Sequence, residues 1–346
     1  MNTHTITFTR FIAALLVVFF HFGLELEGVD GWMHSLAMNG NIAVSYFFFL
    51  SGFVLYKAYD QQILNGTFKL GSFWINRFSR IYPLYLFALL AFLTIANLTW
   101  GQEFFNSQTY LSLFLVQSWM DGQELSLNYP GWSLSNEMLF YFTFPFIIKL
   151  FSKFGTKLII GFTLLLWVAT QLITFTDAIS QYHPLMHLST FVFGIAFCKL
   201  MLQHHALFVW NPMKHLIFFC LTLSVLLLIL ANDSKLVQFA HNGLLSPIYA
   251  IIVVSLIHLP KQIKQLLSSK PLSYLGEISY AFYILQYPVL LLLQYFNRLS
   301  GWTLYETKET EFMLLIGLLL MISALAYHLI EMPAKSLMRK RFQFLT

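Results

Sequence analysis

The chain alternates between long apolar runs and short polar connections. Apolar segments fall at 7–25, 40–58, 79–98, 134–151, 156–175, 185–203, 213–231, 242–258, 275–296 and 311–331. Each is close to the ~20 residues that a helix needs to cross a ~30 Å hydrocarbon core. A segment of this length satisfies its backbone in lipid by closing its own helical hydrogen bonds. The pattern predicts an all-α integral membrane protein, a bundle of about ten transmembrane helices. The fourth segment is interrupted by Pro145. With no low-complexity tract or tandem repeat, the chain reads as a single transmembrane domain over 1–346, with no appended soluble domain.

Lys and Arg fix the orientation. Every second connection is basic, holding Lys57, Lys69, Arg77 and Arg80, then Lys149, Lys153 and Lys157, then Lys199 and Lys214. The series continues with Lys261, Lys264 and Lys270 and closes with Lys335, Arg339, Lys340 and Arg341. The alternate connections hold Lys235, Arg298 and Lys308 and most of the acids, among them Glu25, Glu27, Asp121, Asp177 and Asp233. Because basic loops stay inside, both termini are expected in the cytoplasm.

Composition agrees. The chain is 58% hydrophobic and 10% charged, against about 25% charged in a soluble domain. The formal charge of +5 is explained by topology, so no nucleic-acid partner is expected. Cys198 and Cys220 sit in apolar segments without metal-ligand or redox spacing and read as packing residues. No small-residue cleavage site follows Gly23, so the first segment reads as an uncleaved span.

Charge at bilayer depth is costly, about 2.5–3.5 kcal/mol on insertion scales, and so marks candidate chemistry. Arg10 and His21 both lie in the first span. Their spacing is about three helical turns plus 20°, which puts them on one face about 16 Å apart. A guanidinium at the entrance and an imidazole deep on the same stripe suit an extended donor with an anionic head. The alternative is a snorkelling Arg and a core His. His21 can take a proton from a hydroxyl near neutral pH or carry an acyl group as a nucleophile. His183 and His187 stand at i, i+4 with no third ligand evident, and no metal is expected.

Other segments supply further candidates. In Phe47–Phe53, Ser51 and Gly52 either pack helices closely or leave room for a thin donor arm. Arg77 and Arg80, at i and i+3, suit phosphate or anchor the helix at the membrane surface. In Trp132–Tyr141, Ser135 or Asn136 is a candidate helix cap, while Glu137 either starts the helix or orients the His or the acceptor. Glu277 reads as a helix-start acid, and Glu331 as a partner for Arg77 or Arg80. The aromatic and amide-rich connection 99–133 suits a glycan surface or interfacial anchoring.

In order along the chain, these segments resemble the acyltransferase-3 family of integral-membrane O-acyltransferases. Arg10 and His21 match its R-x10-H signature, Phe47–Phe53 its FFxLSGF stretch, and Arg77 and Arg80 its RxxRIxP element. Trp132–Tyr141 resemble WSLSxExxFY, Leu275–Tyr283 resemble LGxISYxxY, and Tyr327–Pro333 resemble YxxIExP. The resemblance implies acyl transfer from a cytoplasmic acyl-CoA, usually acetyl-CoA, to a carbohydrate hydroxyl at the outer face of a bacterial inner membrane. It casts His21 as catalytic, and Glu137 is read here as its support. Arg10, Arg77, Arg80 and Ser51 fall to the donor, and Trp132, Ser135 and Gln286 to the acceptor. Where relatives carry a His two residues before the ninth-helix proline, this chain has Gln286, which cannot titrate. Expected partners are acyl-CoA, the carbohydrate acceptor and membrane lipid, with a homo-oligomer left open. The alternative function is a transporter of an acyl carrier or glycan intermediate that makes no bond.

Overall fold

The computed structural model describes residues 4–101, 103–230, 236–300 and 303–341. Asp233 and Lys235, counted above among the charges of one connection, lie outside them, as does the last residue of the predicted segment 213–231. Every regular element among the described residues is helical. They are α1 (His4–Phe22), α2 (Gly31–Met38), α3 (Ala43–Leu64), α4 (Leu70–Trp100), α5 (Ser107–Leu113), α6 (Gly131–Lys153), α7 (Thr156–Thr176) and α8 (Pro184–Gln203). There follow α9 (Pro212–Leu230), α10 (Leu236–His241), α11 (Ser246–His258), α12 (Lys261–Leu267), α13 (Lys270–Ile284), α14 (Gln286–Leu299), α15 (Lys308–Ala326) and α16 (Met332–Arg341).

Among the described residues, seven helices are long and apolar enough to cross a membrane, and up to nine segments if each of two bent pairs is one span. The fourth predicted segment is present as α6, which is not among those nine. The two bent pairs are α11 with α12, at 106°, and α13 with α14, at 67°. The segment predicted at 275–296 is therefore made of two shorter helices set at an angle, while 242–258 ends where α11 does and the 106° corner follows it. Proline explains both corners. Pro260 precedes α12, and Pro288 sits in the first turn of α14, where it cannot donate to a carbonyl four residues back.

The chain divides into two compact units. The first comprises Met1–Leu24, Asp30–Phe68 and Thr143–Glu277. Its centre is the pair α3 and α8, which meet backbone to backbone. A Cβ on Gly52 would collide with the Phe191 carbonyl oxygen, and one on Gly194 with that of Phe49. Small residues permit such approach where lipid offers no hydrophobic drive between helices. Phe49, Phe53 and Phe197 fill the flank with rings 6.2–6.4 Å apart. Gly276 brings α13 onto the Thr7 carbonyl of α1 in the same way. Lys199, expected in a connection, is instead buried on α8 and donates from Nζ to the Phe151 carbonyl, one of the orphan acceptors in the last turns of α6.

The turn between α10 and α11 is buried but satisfied. Trp167 Nε1 donates to Gly243 O at 2.9 Å, Gln171 Nε2 to Asn242 O at 3.1 Å, and Asn242 Nδ2 to Thr174 Oγ1 at 3.0 Å. His241, 1% exposed, lies beside the rings of His187 and Tyr182. Burial pushes its imidazole down to about 4, opposed by its hydrogen bond with Asn242.

The second unit comprises Glu25–Val29, Lys69–Phe142 and Ile278–Thr346. Its α4, 31 residues long with Pro83 inside, packs against α14 and α16. The start of α15 is fastened by a Thr307–Thr310 capping box, which serves two of the orphan amides there. Nearby, Lys308 Nζ pairs with Glu25 at 2.8 Å and holds that carboxyl below its ordinary range. The last element before α16 is a wide π turn, Tyr327–Glu331.

Candidate active site

In the first unit, α1 runs without a break from His4 to Phe22. Arg10 and His21 therefore occupy one stripe of one helix, both half-buried. The His21 ring lies 5.1 Å from that of Phe20 and 5.7 Å from that of Phe22. Arg10 stands within electrostatic reach of the Tyr46 hydroxyl on α3, which is 2.7 Å from Thr9 Oγ1. Tyr46 carried no assignment at the sequence level. Its only signal was its place at the start of the Phe-rich run.

Ser51 is half-buried on α3. The space that Gly52 opens beside it is filled by the α8 backbone, which decides for helix packing over a donor channel at that glycine. The His183 and His187 pair separates into two structural groups. His183 Nδ1 accepts from Leu185 N at 3.3 Å as the cap of α8, and His187, fully buried, donates from Nε2 to Gln181 O at 2.8 Å.

In the second unit, Arg77 and Arg80 lie within α4, which begins at Leu70 rather than near 79. Both are half-buried, while Ser79 between them is fully buried and donates to Asn76 O at 3.2 Å. The π turn carrying Glu331, 7% exposed, packs against this helix. Pro333 follows it and lacks the amide that a regular α turn would use.

The WSLSNE segment differs from expectation. Because α6 starts at Gly131, Ser135 and Asn136 are interior residues, fully buried, and neither is a cap. Ser133, in the first turn, donates to Pro130 O at 2.9 Å. Pro130 and Gly131 mark the true boundary, and the polar run after them resembles a loop only because its side chains are polar. Glu137 is half-buried and accepts from the Tyr141 hydroxyl at 3.0 Å. Trp132 is buried, its carbonyl accepting from Ser118 Oγ at 3.0 Å.

Around Glu137 the second unit assembles tyrosines and amides that the sequence left unassigned. Glu137, Glu331, Tyr141 and Tyr85 all lie within electrostatic reach of the Tyr280 hydroxyl, which donates to Ile81 O at 2.7 Å. Tyr283 donates to Ser133 Oγ at 2.9 Å, and Tyr85 to Ser112 O at 2.6 Å. Gln286, fully buried, donates from Nε2 to Tyr283 O at 2.7 Å at the corner between α13 and α14. Glu277, read as a helix-start acid, is exposed in the middle of α13, because that helix begins at Lys270.

The connection before α6 supplies the amides. Gln117 and Asn128 are buried, held by a chain that passes through the left-handed region at Leu115 (φ 56°) and Leu127 (φ 60°). Such conformations are costly for non-glycine residues. Trp100, Phe105, Tyr110, Phe114 and Trp119 remain exposed, as suits a membrane interface.

Many apolar helices with ionisable groups placed among them define a multi-pass membrane protein. The chain belongs to the acyltransferase-3 family, an acyltransferase domain, which matches residues 4–330. It is 34% identical to the acyltransferase MdmB of Streptomyces mycarofaciens over 44% of this chain and 41% of that one. It is 26% identical to the peptidoglycan O-acetyltransferase OatA of Listeria monocytogenes over 82% of this chain and 48% of that one. The chain thus spans about half the length of these curated relatives. No solved structure matches it.

Proposed function

We propose that this chain transfers an acyl group, acetyl in the first instance, from cytoplasmic acyl-CoA to a hydroxyl of a cell-envelope carbohydrate. The acceptor is an O-antigen, exopolysaccharide or lipid-linked glycan at the outer face of a bacterial inner membrane, with both chain termini in the cytoplasm. The observation that carries the reading is the stripe on α1, where Arg10 and His21 share one unbroken helix. At 1.5 Å per residue they stand about 16 Å apart, a span suited to a donor with phosphates at one end and a thioester at the other. A glycan acceptor is supported by the name of the Listeria relative, a peptidoglycan O-acetyltransferase.

The chemistry balances with few groups. His21 removes the acceptor hydroxyl proton as its oxygen attacks the thioester carbonyl, the carbon–sulfur bond breaks, and the imidazolium returns the proton to the departing thiolate. Arg10 is assigned to the donor's phosphates, as are Arg77 and Arg80 on their own helix. Ser51 is assigned to the donor, Glu137 to supporting the proton transfer, and Trp132, Ser135 and Gln286 to the acceptor.

Purified protein given labelled acetyl-CoA and extracted envelope glycans tests this directly. Label is expected on the glycan with one free CoA released per acetyl transferred. His21→Ala is expected to lose about 10²–10⁴-fold in rate, the usual contribution of general acid–base catalysis. Transfer by that variant at the wild-type rate would overturn the assignment of His21, and acceptor movement without CoA release would make the protein a transporter.

A further inference from the structure

A cavity of about 360 Å³ opens in the first unit, away from His21, at the opposite end of α1. Its lining includes Thr5, His205, His258, Lys261, Lys264 and Ser268. That volume lies at the lower end of small-molecule sites, which run about 300–1,000 Å³. The lining is uneven in character. Lys261 and Lys264 stand at i and i+3 on α12 and so share one face, and Ser268 follows as the residue that closes that helix. Met201 and Ile257 supply an apolar wall.

Two details separate this cavity from ordinary basic anchoring. Thr5 is only 3% exposed, yet its Oγ1 has no hydrogen-bond partner among the described residues. A buried hydroxyl left without a partner is costly, and Thr5 is one of the residues that line the cavity. His258 is also fixed, because its Nδ1 donates to Val254 O at 2.9 Å and its ring stacks on His215 at 4.8 Å. The second nitrogen of that ring is thereby left for other partners.

We propose that this cavity is a phosphate-recognition pocket, and that its occupant is the 3′-phosphorylated adenosine end of the acyl-CoA donor. The assignment rests on the acyl-CoA reading given above. Two ammonium groups and a hydroxyl meet the requirements of a phosphate monoester, and the apolar wall suits a purine. Thr5 lies five residues before Arg10, about 7.5 Å along the helix axis. A donor held here would pass its diphosphate along Arg10 and extend its thioester arm toward His21. The headgroup of an anionic phospholipid shares the phosphate chemistry, so the test must distinguish the two.

The experiment compares wild type with Lys261→Gln/Lys264→Gln and Lys261→Arg/Lys264→Arg in detergent, using acetyl-CoA and 3′-dephospho-acetyl-CoA. The Gln variant is expected to raise the KM for acetyl-CoA about tenfold or more with kcat little changed, as for lost uniform binding. The Arg variant is expected to stay near wild type. With the dephospho donor, all three proteins should behave alike. An unchanged KM for acetyl-CoA in an active, folded Gln variant overturns the pocket assignment while leaving the acyltransferase reading intact. In a parallel arm, nanodiscs of phosphatidylcholine with and without phosphatidylglycerol report thermal stability. A phosphatidylglycerol stabilisation lost in the Gln variant, with KM unmoved, assigns the pocket to lipid and overturns the donor proposal. If wild type transfers no acetyl group, the acyltransferase reading fails first. Binding of adenosine 3′,5′-bisphosphate to wild type and the Gln variant then decides the pocket alone, and equal or absent binding overturns it.

Discussion

Asn128 donates from Nδ2 to the carbonyl of Ile284 at 3.0 Å, the acceptor that an α-helix would serve from residue 288. Residue 288 is proline and has no N–H to give. The Tyr283 carbonyl, one residue earlier, is taken by the side chain of Gln286 at 2.7 Å. The corner between α13 and α14 is therefore built from a proline that opens the helix and two amides that satisfy what it exposes. This gives Gln286 a structural duty at the corner.

Replacing Asn128 by Leu leaves the Ile284 carbonyl buried and unserved, which costs about 1–3 kcal/mol. In a Pro288→Ala background the restored amide is expected to serve that carbonyl, so the same substitution should cost less. Thermal unfolding of the four proteins in detergent measures the coupling. Strict additivity would show that the two residues act independently.

Gly52→Ala and Gly194→Ala each force α3 and α8 apart, because the added carbon meets backbone rather than a flexible side chain. Overpacking of this kind costs about 1–3 kcal/mol or more. Gly317→Ala on α15 adds its carbon to open space and should leave the unfolding temperature unchanged or slightly raised. Similar behaviour of all three would refute close packing at the α3–α8 crossing.

The His241 imidazole is held near 4 by burial, below the ordinary value of about 6.5. The unfolded chain therefore binds this proton between those values while the folded chain does not. Stability from this group is complete above about pH 6.5, declines as pH falls, and levels off below about 4. The decline attributable to His241 is on the order of 1–3 kcal/mol. Denaturant unfolding at pH 7.5 and 5 should show a smaller loss in His241→Gln than in wild type, and an equal loss would remove His241 as the cause.

Glu137→Gln keeps an acceptor for the Tyr141 hydroxyl and removes the charge. If the carboxylate supports proton transfer, turnover is expected to fall about tenfold or more with little change in unfolding temperature. Tyr141→Phe removes only the 3.0 Å hydrogen bond and should retain most activity. The same rate in Glu137→Gln as in wild type would exclude a role for the charge.

Most helices were legible as apolar runs, because lipid requires about the same length of each. The errors fell where polarity entered a helix. The start of α6 was displaced to the middle of its own first turns, since Ser133, Ser135 and Asn136 are buried polar residues that resemble a connection. The start of α13 was missed because Lys270 to Tyr274 is polar enough to pass for loop. The corner at Pro288 lay inside a run that reads as continuous, although the proline carried the signal, and the corner at Pro260 fell just beyond the predicted 242–258. On α1 the stripe of Arg10 and His21 was legible because it depends on spacing within one helix. The Gly52–Phe191 contact was not, because it depends on which helix comes to lie opposite.

The wide turn at Tyr327–Glu331 has a consequence for everything downstream of it. An extra residue accommodated there offsets the azimuth of the final helix by about 100° relative to the rod before it. Excising one residue from that turn would let the rod continue without interruption to Arg341. Glu331 and Lys335, one turn apart on the same face, would then swing together around the axis, re-aiming both charges with no side chain altered.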